Sequence, residues 1–333
     1  MTKPRFFTGI QPTGTLTLGH YLSIIHHALL LQEEYEIIIM IADLHALTTP
    51  NQRINYQEKA REIASLLCAC GLKEENCKIF IQSQIKEHLE LAWFLSSHVA
   101  VNELKNKSQY KNKIKEKNQK TGSLTLLSYP VLQAADIFLY IEQEETDLVI
   151  VGQDQQQHCE LAATLARKFN NFYQAKLLKV PQFNIPELGS KIMGLRNPEK
   201  KMSKSENDYI ALLDNPEVVK KKVKRAKMDS DSENKIHYDP KKKPGVSNLL
   251  VIYALLKKIT PFEAEKEASG LNYDQFKTKL SELICIKLSN IQKQFSLYQG
   301  KIDNLLEKGR LYCQNLAQQK LRKIKAMMKL AAN

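Results

Sequence analysis

Apolar and polar positions alternate in two kinds of block along the first two hundred residues of the chain. Four short apolar runs, RFFTGI, EIIIMIAD, KIFIQS and DLVIVG, are each followed by a stretch with helical periodicity: 19–33, 54–70, 86–97 and 155–169. Short runs bounded by turn residues read as strands, and a 3.6-residue apolar period reads as an amphipathic helix. The alternation specifies a parallel sheet with crossover helices, and an unbroken apolar strand such as Ile37 to Ile41 belongs to a sheet covered on both faces. A doubly wound, Rossmann-like sheet follows, whose ligands bind beyond the carboxyl ends of its strands. With the first strand expected to end at Gly9, the stretch TGIQPTGTLTLGHYL, residues 8–22, stands at that end.

After residue 205 the strand pattern fades and helical stretches dominate: PEVVKKKVKRA, VSNLLVIYALLKKI, YDQFKTKLSELICIKLSNIQKQF and NLLEKGRLYCQNLAQQKLRKIKAMM. The expected fold is therefore α/β, with a Rossmann-like domain over 1–205 and a second, all-helical domain over 206–333. Between the strands of the first domain lies KNKSQYKNKIKEKNQKTG, residues 105–122, with seven lysines and one glutamate, which is expected to be a mobile basic connection.

Composition narrows the function. Of 333 residues, 43% are hydrophobic and 26% charged, and no apolar run approaches the roughly 18 residues of a membrane span, so a membrane protein is not expected. MTKPRFFTGIQP lacks the layout of a secretory signal, which makes the cytoplasm the default. Cysteines at 68, 70, 77, 159, 285 and 313 offer one C-x-C pair, and the histidines do not fall at zinc-finger spacing, so neither disulfides nor a structural metal is expected. The net charge of +13 is uneven: residues 206–333 hold 25 Lys and Arg against 15 Asp and Glu, which suits a polyanionic partner as well as it suits lysine-rich solvated helices.

Two stretches carry chemistry. A helix starting at Gly19-His20 presents unpaired backbone N–H groups and a positive dipole end to phosphate oxygens, glycine permits close approach, and the imidazole adds a donor. An imidazole there is also expected to make the phosphate contact sensitive to pH. The second stretch is KMSKS, residues 201–205, in the polar segment NPEKKMSKSEND. Lys201 and Lys204 can reach one polyphosphate, with Ser203 and Ser205 as hydroxyl donors.

Together, T-x-G-H near the start and KMSKS about 180 residues later resemble the paired motifs of the class I aminoacyl-tRNA synthetases. GIQPTG, AADIFLY, VGQDQQQH, PEKKMSKS and KKPGVSNLL, spread over nearly the whole chain, resemble the bacterial tryptophanyl branch of that family. The resemblance implies an enzyme that joins tryptophan to ATP as an adenylate and transfers it to the 3′ end of tRNA(Trp). It implies an ATP site from Gln11, Pro12, Thr13, Gly19, His20, Gly152, Gln153 and Asp154, with Ile192 and Met202 flanking the adenine. Lys113, Lys201, Ser203, Lys204 and Ser205 are placed by it at the phosphates, and His20, Lys113, Lys201 and Lys204 are the implied catalytic set. For tryptophan it implies Phe7, His45, Tyr129, Gln133, Asp136, Val151 and Gln155.

Asp136 is the expected acceptor for the indole N–H, since indole only donates. A buried acid without that donor would be costly, which gives the pocket its means of rejecting phenylalanine. Mg²⁺ is implied with ATP, as are a homodimer, a tRNA partner and no role on DNA or membranes. His20 stands where many relatives have asparagine, Gln133 where many have methionine and Gln153 where many have glutamate, and the 141–151 segment is longer. A tyrosyl-tRNA synthetase, which also uses Q-x-x-D, and a small-molecule nucleotidyltransferase with the same T/H-x-G-H remain alternatives.

Overall fold

A computed structural model describes residues 3–49, 51, 53–116, 121–152, 155–184, 188–189, 191–204, 206–229 and 235–330. Strand β1 (Arg5–Ile10) leads through a turn to α1 (Leu18–His20), which continues through one π-helical turn, Tyr21–Ile25, into α2 (His26–Leu31). Then come β2 (Glu36–Ile41), α3 (Asp43–Ala46), α4 (Tyr56–Ala69) and β3 (Cys77–Ile81). The chain continues through a 3₁₀ turn at Gln82–Gln84 to α5 (Glu87–Ser96), α6 (Val101–Lys105), α7 (Ser108–Glu116) and α8 (Leu124–Phe138). Next are β4 (Leu148–Ile150), α9 (Gln156–Phe172) and β5 (Gln182–Asn184). Five helices follow: α10 (Pro216–Lys224), α11 (Pro244–Lys257), α12 (Pro261–Glu267), α13 (Tyr273–Gln299) and α14 (Ile302–Met328).

All five strands are parallel, in the order β3-β2-β1-β4-β5. The chain builds outward from β1 to β3, then crosses back to place β4 on the other side of β1. Strand order reverses between β1 and β4, and that is where a doubly wound sheet opens a crevice. Successive side chains point to opposite faces, so β2 divides its apolar residues between two cores: Ile37, Ile39 and Ile41 on one side, Ile38 and Met40 on the other.

The structure differs from the sequence-based expectation in three places. Within the 105–122 connection, α7 forms a helix over Ser108–Glu116, its buried Tyr110 clustering with Leu126 and Tyr129; one aromatic anchor suffices to fix a segment whose charges are otherwise solvated. Helix α8 was not foreseen, because Pro130 lies inside it and lacks the N–H a helix interior uses. The third difference is α14. Its first turns join the core of one sheet face through Ile302 and Leu306, and its later ones join the other through Cys313, Ala317, Leu321 and Ile324. At the crossing, a Cβ on Gly309 would lie 2.0 Å from the Ile79 carbonyl oxygen of β3, so only glycine admits this approach. The helical part of the chain thus shares its core with the sheet.

Candidate active site

A cavity of about 370 Å³ opens at the carboxyl ends of β1 and β4, where the strand order reverses. It has two ends of different chemistry. One is walled by Phe7, Met40, Ala42, Ile137, Val149 and Val151, with Asp136 set among them. The other is polar and basic, with Gln11, Thr13, His20, Ser23, Lys201 and Lys204. Lys113, Tyr129, Gln133, Gly152 and Gln155 also line it, as does His45 beside Asp136.

The basic end is built where the two signature stretches meet. Leu18 N donates to the Ile210 carbonyl at 2.8 Å and Leu212 N to the Leu16 carbonyl at 2.9 Å, so the start of α1 is tied to the chain just beyond KMSKS. Thr17 caps that helix: its hydroxyl accepts from His20 N at 3.3 Å, and its own backbone N–H donates to His20 Nδ1 at 3.2 Å. With Nδ1 an acceptor, the ring proton sits on Nε2 and is available to a phosphate oxygen. Burial first, and then the charges of Lys204 and Lys201, lower the His20 imidazole to about 4. It is therefore neutral through the neutral pH range, which corrects the expectation of a pH-sensitive contact in the free protein. The π-helical turn that follows is a form that recurs at functional sites.

KMSKS itself is held by an acid that sequence reading passed over. The Asp208 carboxylate accepts backbone N–H bonds from Leu195, Arg196 and Asn197 at 3.0–3.1 Å, and its backbone pairs with Ser203. Lys204 Nζ reaches back to the Thr15 carbonyl at 3.4 Å. Burial lowers its pKa, with the nearby Lys59 charge adding to the effect.

At the apolar end, Asp136 projects from α8 and is 1% exposed. Expected from sequence as an acceptor for indole, it already has protein donors of its own. His88 Nδ1 lies 2.6 Å from Oδ1, His45 Nε2 lies 2.7 Å from Oδ2, and the Gln82 amide bonds both oxygens at 2.9 and 3.0 Å. Burial alone would raise this carboxyl, but the bonds from His45 and His88 outweigh it and hold it down to about 2. Three donor groups thus make four contacts with the carboxylate, Gln82 bonding both oxygens, and Asp136 still lines the cavity. Gln82 stands just beyond β3, a strand-end position that the rule for doubly wound sheets would have flagged; His88 carries no such signal.

Of the residues expected at the site, Phe7, Gln11, Thr13, His20, His45, Lys113, Tyr129, Gln133, Asp136, Val151, Gly152, Gln155, Lys201 and Lys204 line one cavity. Tyr129 is braced by Gln109 and by His158, whose Nε2 lies 3.0 Å from its hydroxyl, and the Gln155 side chain meets the other nitrogen of that ring. Lys113 lies 5.7 Å from the Tyr129 ring centre. Ile192 and Met202 do not line this cavity. They are 2% and 8% exposed and part of the core, because Met202 N bonds the Ile192 carbonyl and the Met202 side chain packs on Gly19. Pro12, Gly19 and Ser203 flank the cavity in sequence without lining it. Gln153, Asp154 and Ser205 lie outside the described residues.

This geometry can be set beside known proteins. The family described as tRNA synthetases class I (W and Y) matches residues 1–287. The chain belongs to that family and is accordingly an aminoacyl-tRNA ligase. Among its relatives, the tryptophan–tRNA ligase of Listeria innocua is 40% identical over 97% of this chain and 96% of that protein. The tryptophan–tRNA ligase of Bacillus subtilis is 38% identical over 98% of each. In structure, the chain resembles tryptophanyl-tRNA synthetase from Mycoplasma pneumoniae, with a TM-score of 0.90, 32% identity and 99% of both chains covered. It also resembles the Campylobacter jejuni enzyme complexed with ADP and tryptophan, with a TM-score of 0.80, 27% identity, and 98% of this chain and 100% of that one covered. These likenesses bear out the motif-based resemblance to the bacterial tryptophanyl branch.

Proposed function

We propose that the chain is a tryptophan–tRNA ligase, which activates tryptophan with ATP and transfers it to the 3′ end of tRNA(Trp). The observation that carries this reading is one cavity with an ionised acid at its apolar end and lysines and a neutral histidine at the other. Tryptophan lies with its indole among Phe7, Val149 and Val151 and its N–H on Asp136, while Tyr129 and Gln155 face the ammonium end. ATP spans the basic end, its phosphates near His20, Lys113, Lys201 and Lys204. The tryptophan carboxylate attacks the α-phosphorus, the bond from that phosphorus to the bridging oxygen breaks, and pyrophosphate leaves with the electron pair. Lys201, Lys204 and the His20 Nε2–H stabilise the charge gathering on the phosphate oxygens, and positioning supplies most of the remainder. A ribose hydroxyl of the terminal tRNA adenosine then attacks the carbonyl carbon of the adenylate and AMP departs.

Mg²⁺ enters with the nucleotide. Among the described residues no cluster of three His, Cys, Asp or Glu side chains forms a site for a metal, so no residue of this chain is assigned to it. The helices after residue 205 take the tRNA, and two chains form a homodimer that works in the cytoplasm. Leu89 and Trp93, one turn apart on α5 and 53% and 77% exposed, support the dimer as an apolar face for the second copy. Sedimentation of the purified chain checks that part. The activity is tested by amino-acid-dependent pyrophosphate exchange, in which tryptophan should far exceed tyrosine; equal or reversed rates would remove the tryptophan assignment.

A further inference from the structure

Three donors hold Asp136, and they come from three different elements: His45 from α3, Gln82 from the turn after β3, and His88 from the first turn of α5. His45 lines the cavity, whereas His88 is 0% exposed and stands behind the carboxylate. Its ring is fixed from several sides. Phe80 stacks on it with ring centres 5.7 Å apart, and its Nε2 lies 2.8 Å from the Tyr140 hydroxyl. Tyr140, also 0% exposed, stacks in turn on Phe7 of the cavity wall, ring centres 5.3 Å apart.

The proton positions in this chain are set by its acceptor-only end. An ionised carboxylate only accepts, so His88 must present an N–H from Nδ1. The other ring nitrogen, Nε2, meets the Tyr140 hydroxyl, which holds the ring from behind. A carboxyl group turns easily about its last side-chain bond, and donors from separate elements are what fix such a rotor. We propose that His88, held by Tyr140, is a positioning residue that fixes the Asp136 carboxylate as an acceptor facing the cavity, and so requires the amino acid taken there to bring an N–H. The proposal rests on the tryptophan reading given above. It assigns the choice between indole and N–H-free rings to a residue that the amino acid does not touch.

The test uses pyrophosphate exchange with tryptophan and with β-(1-benzothiophen-3-yl)alanine, whose ring sulfur replaces the indole N–H. The ratio of kcat/KM for the two amino acids is compared in the unaltered enzyme, His88→Leu, His88→Asn and Tyr140→Phe, with the KM for ATP measured alongside. A hydrogen bond to a charged group is worth enough that His88→Leu should lower the preference for tryptophan by about tenfold to a hundredfold. Tyr140→Phe should lower it by less, and His88→Asn, with an amide N–H near the Nδ1 position, should restore most of it. The KM for ATP should move by less than about twofold, since none of these residues faces the nucleotide. If His88→Leu slows both amino acids equally and leaves the ratio unchanged, His88 is structural only and the proposal fails. Should His88→Leu not fold, an unchanged ratio in Tyr140→Phe overturns it equally well. Failure of the functional reading shows up separately, as an unaltered enzyme that exchanges no faster with tryptophan than with tyrosine.

Discussion

Lys204 of the KMSKS loop lies against Gly14 of the first turn, its ammonium nitrogen 3.1 Å from where a Cβ on that glycine would stand. Gly14 has a φ of 150°, which side-chain-bearing residues rarely adopt, so turn and loop meet at a point reserved for glycine. The two stretches that flank the basic end of the cavity are thereby joined at the lysine assigned to the phosphates. Replacing Lys204 with Ala should lower adenylate formation by about 10²–10³-fold, the scale of one lost charge-stabilising group, while thermal unfolding stays within a few degrees of the unaltered chain. Pyrophosphate exchange and a melting curve together decide this; undiminished exchange would refute the role.

The pH behaviour of His20 follows from its lowered pKa. The free protein keeps the ring neutral down to about pH 4, so kcat/KM for ATP should show no inflection from this group between pH 6 and 9. His20→Asn should scale that profile without changing its shape. On unfolding, the ring returns to an ordinary value near 6.5 and takes up a proton that the folded chain refuses until about pH 4. Its contribution to stability is therefore complete above about pH 6.5 and is lost as the pH falls toward 4. His26, buried with neither ring nitrogen bonded and also lowered to about 4, adds a second loss of the same sign. Melting temperatures at pH 7.5 and 5.0 should fall less steeply in His26→Leu than in the unaltered chain; an equal slope would contradict the assignment.

Gly309 gives a prediction with the opposite sign to helix propensity. Alanine in a helix interior normally stabilises by up to ~1 kcal/mol over glycine. Here its Cβ would enter the backbone of β3, at 2.0 Å from the Ile79 oxygen and 2.8 Å from the Ile79 carbonyl carbon. Gly309→Ala should instead destabilise by about 3 kcal/mol or more, by forcing α14 away from the strand. Urea unfolding measures it, and a stabilised variant would show that the helix yields without cost.

The lysines of α10 do not act as one group. Lys222 is bonded to Asp214 at 2.6 Å and lies over the Tyr209 ring, whereas Lys221 and Lys224 are exposed near the end of the helix. Reversing Lys221 and Lys224 to Glu should weaken tRNA charging and reduce its salt dependence while leaving adenylate formation intact. Reversing Lys222 should cost stability instead. Equal loss of charging and of adenylate formation on reversing Lys221 and Lys224 would argue against a separate tRNA-binding part.

The strands were legible in the sequence because β1 to β3 are buried on both faces and need unbroken apolar runs, as Ile37 to Ile41 show. The basic end of the cavity was legible because each half is a compact run, Gly19-His20 and Lys201 to Lys204, although about 180 residues separate the two. The surroundings of Asp136 were not, since Gln82 and His88 lie 54 and 48 residues away from it and meet it only through the fold. Asp208 was missed because its work is done on backbone N–H groups, which no side-chain pattern announces. Pro130 concealed α8 for a local reason that burial of Tyr129, Val131 and Ala134 overrides.

The seat of α14 on β3 also orders events in time. β3 is an edge strand of the sheet, and α14, which covers it, comes far later along the chain. Until α14 is made, that sheet edge has no cover from it, and an uncovered edge can pair with another extended chain. The same helix sends the buried Lys320 to the carbonyl of Ile141, one residue beyond the tyrosine that steadies His88. The contact that covers the sheet edge and the one made beside Tyr140 thus belong to a single helix.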